Sequence, residues 1–354
     1  PQVVLRDEAH PAGPSAARPC IVADRLMPGT GRRVPGSAEK LMLNYILKRI
    51  LSVIPVLFLV SVFVFLMLRL TPGDPAAIIA GDNATPETLA RIREAMGLNE
   101  PLLTQYVKWI TGILRGDFGT SLISGVPVLD LVEKRVGPSM SLAVLTIIIA
   151  VCIAIPMGVI AAWKHRTWVD YLVMSFSVLG FSVPVFLVGY VLLLIFSVKL
   201  GWLPPQGFKP ISAGIAPFME RAILPALTLA SIYIALIARM TRAAMLDVLN
   251  EDYIRTARAK GVGDRRLLFV HALKNAAVPI ATIVGAGFAL LISGVVVTET
   301  IFNIPGIGRL TVDAVLARDY PVIQALILLT ATLYVAVNLL IDLSYSLFDP
   351  RIRY

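Results

Sequence analysis

The chain has 354 residues, of which 57% are hydrophobic and 16% charged, with a formal net charge of +9. A soluble domain carries about a quarter of its residues as charges, and the apolar residues here come in long blocks that one water-soluble core cannot bury. The basic residues lie between those blocks instead of forming one face, which is a pattern of membrane topology and argues against nucleic-acid binding.

In chain order, residues 1–41 are rich in Pro, Gly and Arg and show no periodicity. The part up to Glu39 is expected to be disordered or a misassigned extension, with Met27 or Met42 as a start. Six blocks reach the length of about 20 apolar residues that a spanning helix needs: 46–70, 139–163, 171–198, 222–240, 276–298 and 322–347. Pro55, Pro156, Pro184 and Pro225 fall inside them, and each is expected to be tolerated, because neighbouring helices can satisfy the freed backbone groups. The expected architecture is an all-α membrane protein with a first helix over 42–70, an outer segment over 71–137, a core over 138–347 and a tail over 348–354.

Orientation follows from the short loops. Lys40, Lys48 and Arg49 precede the first block, and Lys164 and Arg166 separate the second from the third. Arg242, Arg255, Arg258, Lys260, Arg265, Arg266 and Lys274 separate the fourth from the fifth, and Arg351 and Arg353 close the chain. If every block crosses, all four segments share one side, which the positive-inside rule makes cytoplasmic. The outer segment carries its own helix signals. Thr85 and Pro86 suit a helix start, Gly97 a stop, and 105–114 a second amphipathic helix.

The loop over 242–275 is too polar to span and is punctuated as two short helices. Asn250 is placed to cap the first, with Glu251 and Asp252 in its first turn and Arg255, Arg258 and Lys260 toward its end, as the helix dipole favours. Gly261 is expected to stop that helix, Gly263 to loosen the turn, and Asp264 to cap a second helix over 264–273. Thr256, Ala257, Ala259 and Gly261 keep the corner small enough for another protein to approach closely. A basic amphipathic loop resting on lipid is the alternative reading of the same composition.

Other features are weaker. Cys20 lies in the polar tail and Cys152 inside an apolar block, so neither a disulfide framework nor a cysteine metal site is expected. No phosphate-binding Gly-x-x-x-x-Gly-Lys-Ser/Thr loop and no His-Glu-x-x-His pattern occurs, and the three histidines are scattered. His271 is expected to dock or pack, Asp342 to sit at an interface or pair two helices, and Arg69 to snorkel outward. Glu299 stands at the outer end of the fifth block, where a gate, a contact with an external partner and a plain interfacial acid are all open. Gly287, Ser293 and Gly294 fit close helix packing better than a passage lining.

Asp252-Tyr253-Ile254-Arg255-Thr256-Ala257-Arg258-Ala259-Lys260-Gly261, then His271-Ala272-Leu273-Lys274-Asn275-Ala276 and Pro279, resembles the EAA loop of binding-protein-dependent ABC importers. The narrower resemblance is to the oligopeptide/dipeptide/nickel permease family, with Arg255 where the general pattern has glutamate and Lys274 near its usual proline. It extends over nearly the whole chain from Met42. It takes in Thr71-Pro72-Gly73-Asp74-Pro75, Met96-Gly97-Leu98, Gly116-Asp117-Phe118-Gly119-Thr120-Ser121, the run from Thr298 to Gly308, Arg318-Asp319-Tyr320-Pro321 and the closing run from Asp349 to Tyr354.

The resemblance implies a type I ABC importer permease fold in a bacterial inner membrane, with both termini cytoplasmic. It implies an ATPase-docking loop made of Asp252, Tyr253, Arg255, Thr256, Ala257, Arg258, Ala259, Lys260, Gly261, Asp264, His271 and Asn275. Glu299, Phe302, Pro305 and Gly306 would serve as a gate or extracytoplasmic contact. The implied partners are a second homologous permease, two ABC ATPase subunits and an extracytoplasmic solute-binding protein. The chain would bind no cofactor, and ATP and Mg would sit on the ATPases. A transporter or channel working without ATP is the rival reading, and a membrane enzyme a more distant one; peptide, nickel and glutathione stay open as solutes.

Overall fold

A computed structural model describes residues 35–70, 76–77, 85–95 and 97–348. The motif over 71–75, Met96, the closing run over 349–354 and the expectation for residues 1–34 lie outside the described residues.

The described chain is helical, apart from turns and one bridge between Thr120 and Pro127. Its helices are α1 (Pro35–Leu70), α2 (Pro86–Ala95), α3 (Leu102–Leu114), α4 (Val128–Trp163), α5 (Trp168–Ser182), α6 (Val185–Leu192), α7 (Ile215–Leu249), α8 (Asp252–Ala259), α9 (Asp264–Arg266), α10 (Leu273–Gly294), α11 (Val296–Ile301), α12 (Ile307–Ala317) and α13 (Tyr320–Phe348). π-helical turns follow α6 (Leu193–Lys199) and join α9 to α10 (Leu267–Ala272). The first helix begins at Pro35, ahead of both the Ile46 start and the Glu39 boundary expected from sequence. Apolar block length marks what enters lipid, whereas a proline at the first helical position and good helix formers after it extend the helix beyond that limit.

Five helical stretches are long and apolar enough to cross a membrane: Leu47–Met67, Val128–Trp163, Ile215–Leu249, Asp264–Leu291 and Tyr320–Leu343. The third expected block is not one straight helix. It is the pair Trp168–Ser182 and Val185–Lys199, bent by 102°. Val183 is extended (ψ 123°) and so is Pro184 (ψ 137°), because a proline clashes with an α-conformation at the residue before it. Pro55, Pro156 and Pro225 are each carried within a continuous helix.

Arg49 and Asp342 form an ion pair, with Arg49 Nε 2.7 Å from Asp342 Oδ2. It joins the beginning of the first span to the end of the last, so Asp342 is a helix-pairing residue. Five crossings would leave these two residues at opposite faces of the membrane. The pair therefore requires an even number, which the bent α5–α6 supplies as a sixth span.

The core of the bundle is the α4–α7 pair. A Cβ on Gly158 would lie 2.6 Å from the Thr241 Cβ and 2.7 Å from the Ala238 carbonyl, so the two backbones meet where only glycine fits. Ala150, Ala154, Ala230, Ile237 and Ala238 continue this contact with almost no exposure. Gly287 of α10 packs against the Tyr233 ring, as the close-packing reading expects; the side-chain surroundings of Ser293 and Gly294 lie outside the described residues.

Candidate functional site

The polar corner between α7 and α10 is held by a few buried residues. Asn250 does not cap α8. It closes α7 in the right-handed helical region, with its amide donating to the Leu246 carbonyl at 3.0 Å. The extended residue ahead of α8 is Glu251, and its side chain makes no capping bond. Asn, Glu and Asp stand in a row here, and a capping preference alone does not choose among three adjacent positions. Asp264 likewise is the first residue of α9, with extended Gly263 ahead of it, so it contributes a first-turn charge and no cap.

Gly261 ends α8 as expected. It takes φ +78°, its N–H bonds the Arg258 carbonyl at 3.0 Å, and the Val262 N–H bonds the Ala257 carbonyl at 3.2 Å. This paired closure is the Schellman arrangement, in which a left-handed residue satisfies the last carbonyls of a helix. No atom stands within 4 Å of a Cβ at Gly261, so backbone conformation and not crowding selects glycine there. Gly263 has φ −63° and needs no such freedom.

Helix α8 has two unlike faces. Ile254 is 1% exposed and enters a cluster with Val159, Met245, Leu267, Leu268 and Ala276, against which Ala257 and Val262 also pack. Burying such a side chain stabilises by about 2 kcal/mol, enough to pin a helix of this length to the bundle. Asp252, Tyr253, Arg255, Thr256, Arg258, Ala259 and Lys260 are exposed. Of the residues named for docking, Ala257 thus turns partly inward and the others on α8 turn outward.

The far side of the corner is tied back by Asn275, whose amide donates to the His271 carbonyl at 2.7 Å. The Asn275 side chain also faces the Tyr253 phenol. Burial pushes the Tyr253 phenol above its ordinary pKa, and the neighbouring Asn275 amide works against the shift. His271 is half-buried on the π-helical turn, between exposed Phe269 and Val270 and buried Ala272. An inserted residue of this kind rotates the helix face and recurs at functional positions.

Sequence reasoning missed what anchors the corner from behind. Arg242, near the end of α7, makes a two-pronged pair with Asp170 of α5, one prong at 2.7 Å. The Asp170 side chain is 3% exposed and also accepts from the Arg166 N–H at 3.0 Å, with His165 Nδ1 at 3.1 Å. The base of α7 is thereby fixed to the loop between the second and third spans. An acid directly after a basic loop was the available signal.

At the opposite end, the run around Glu299 forms a closed structure. Glu299 is fully buried on α11, where Ser139 Oγ of α4 donates to it and the Arg309 N–H donates to its Oε2 at 2.9 Å. Ser139 Oγ in turn accepts from the Ile307 N–H at 2.8 Å. The carboxylate thus occupies the N-terminus of α12, where free N–H groups and the helix dipole favour an anion. A Cβ at Gly306 would collide with that carboxylate. Phe302 and Gly306 are buried and Pro305 half-buried, so none of the four residues named for a gate or contact is fully exposed.

Nearby, Asp319 accepts from Ser121 Oγ and from the Leu122 N–H at 3.1 Å. This joins the outer segment to the start of α13. The runs 116–121 and 318–321, far apart in sequence, are thereby one structural unit.

The comparisons with known proteins agree with one another. Residues 154–354 match the model of the "Binding-protein-dependent transport system inner membrane component" family, and residues 42–143 match its N-terminal companion. The chain is 54% identical over 310 residues to a "Probable peptide ABC transporter permease protein" of Sinorhizobium fredii, covering 88% of this chain and 99% of the relative. It is 45% identical over 314 residues to the "Glutathione transport system permease protein GsiC" of Escherichia coli strain K12, covering 88% of this chain and 100% of the relative.

Proposed function

Since the chain belongs to the family of binding-protein-dependent transport system inner membrane components, the permeases of ABC importers, we propose that its α8 corner docks a cytoplasmic ATPase subunit and that the solute it passes is a peptide or a similar small molecule. The observation that carries the docking role is the division of α8. Ile254 and Ala257 fix it to the fourth and fifth spans, while a face of small and basic residues stands exposed, with the Arg255–Asp252 pair confined to α8 itself. A rigid corner of this kind passes a displacement from a partner directly into two spans. The Asp170–Arg242 pair extends that rigidity to the third span.

The positive-inside rule supports a cytoplasmic corner, and an even number of spans supports both ends of the bundle on that same side. In this reading the chain binds no nucleotide. ATP and Mg sit on two ATPase subunits, a second homologous permease completes the path, and a binding protein delivers solute from outside. The chain's contribution is a difference in affinity between inward- and outward-open states, which any such switch requires. The named relatives favour peptides, glutathione included, as the solute class.

The test is Gly261→Pro. Proline cannot take φ +78° and removes the N–H that closes α8. Solute uptake is expected to be abolished and co-purification of the ATPase lost, while the permease pair still assembles in the membrane. Normal uptake with normal co-purification overturns the docking role.

A further inference from the structure

Helix α3 combines two observations that bear on where it sits. Its inner face lies along the first span and not above it. Tyr106 Oη is 2.8 Å from Ser61 Oγ, and Phe65 stacks near both Tyr106 (5.5 Å) and Trp109 (5.8 Å). Ser61 lies eight residues before Arg69, so at 1.5 Å per residue this contact is about 12 Å below the charged end of the span. The opposite face is apolar and open. Leu103 is 74%, Val107 49% and Leu114 80% exposed, at spacings of four and seven residues that align on one helix face.

That open face continues the surface of the first span, where Phe58, Leu59 and Phe63 are equally exposed. Lys108 is the one charged residue of α3, and it is neutralised by Glu100 at 2.5 Å. Arg69, its guanidinium 5.3 Å from the Phe65 ring centre, joins Lys108 and Trp109 around a cleft of about 310 Å³ that runs along α3 from Glu100 to Gly112.

We propose that α3 is seated in the outer leaflet against the first span, its Leu103–Val107–Leu114 stripe covered by acyl chains. A vestibule helix standing in water would hold an apolar stripe of this size against solvent. A contact at the depth of Ser61 is reached only from within the leaflet.

The experiment uses the assembled permease complex in lipid nanodiscs, with Cys20 and Cys152 replaced by serine. Leu103→Cys, Leu114→Cys and, as a control on exposed α2, Glu87→Cys are each labelled with an environment-sensitive fluorophore. Phosphatidylcholine spin-labelled high on the acyl chain is the quencher. Both leucine sites are expected to be quenched at least about twofold more than the Glu87 site, with blue-shifted emission, as burial at the headgroup–acyl boundary requires. Quenching equal to the control overturns the proposal. So does a blue shift without quenching, which means that protein covers the stripe. Protection of the leucine sites that appears only when the binding protein is added overturns it as well.

Discussion

Glu299 and Asp319 at one end of the bundle and Asp252 at the other are held in opposite ways. Glu299 is sealed from water and held by Ser139 and the first turn of α12, and Asp319 is 5% exposed and held by Ser121 and the Leu122 N–H. At the corner, the Asp252 side chain is 96% exposed, with only Arg255 at 3.3 Å. Carboxylates whose oxygens are already engaged hold the fold, and they become available to a ligand only if it opens. Those standing in water hold little of the fold and are available at once. Exposed charge at the corner and engaged charge in the fold are thus separated by burial, with buried Asp170 directly behind the corner.

Four substitutions and one control test this division, graded by the loss expected. Glu299→Ala leaves Ser139 and the α12 amides without an acceptor in a buried site. A loss of about 4 kcal/mol follows from removing one partner of a buried charged network, read as a lower melting temperature in detergent. Asp170→Ala strands Arg242 and is expected to cost about 3 kcal/mol, with faster proteolysis of the loop between the second and third spans. Gly261→Ala forces a left-handed alanine and is expected to cost about 1 kcal/mol. Gly263→Ala serves as its control and is expected to change nothing, because φ −63° suits any residue. Arg255→Ala removes an exposed pair worth at most about 0.5 kcal/mol, so the melting temperature is expected to hold while ATPase co-purification weakens. If Arg255→Ala melted as low as Glu299→Ala, the two ends would not differ as described.

Local features of the sequence were readable because their causes are local. Block lengths gave five of the spans, Thr85 does cap α2 through the Thr88 N–H at 3.3 Å, and Gly97 and Gly261 do end helices with positive φ. The break at Pro184 escaped because a proline is tolerated or not according to what packs beside it, and Pro156 and Pro225 look no different in sequence. The caps at Asn250 and Asp264 failed by one position, a distance over which capping preferences do not discriminate. The polar clamps were invisible for another reason. Asp170 and Arg242 are separated by 72 positions, Ser139 and Glu299 by 160, and Ser121 and Asp319 by 198. Pairings of that range are made by the finished topology and leave no periodic trace. Glu299, exposed to several readings as a lone acid after an apolar block, has a definite one once α12 is folded back onto it.

The Arg49–Asp342 pair also bears on how the protein is made. Its partners are 293 residues apart, so the ribosome delivers the cation long before its counter-charge. The first helix must enter the bilayer long before this contact exists. Closing it is therefore a late event, a clasp that forms only after the last span, α13, has been made.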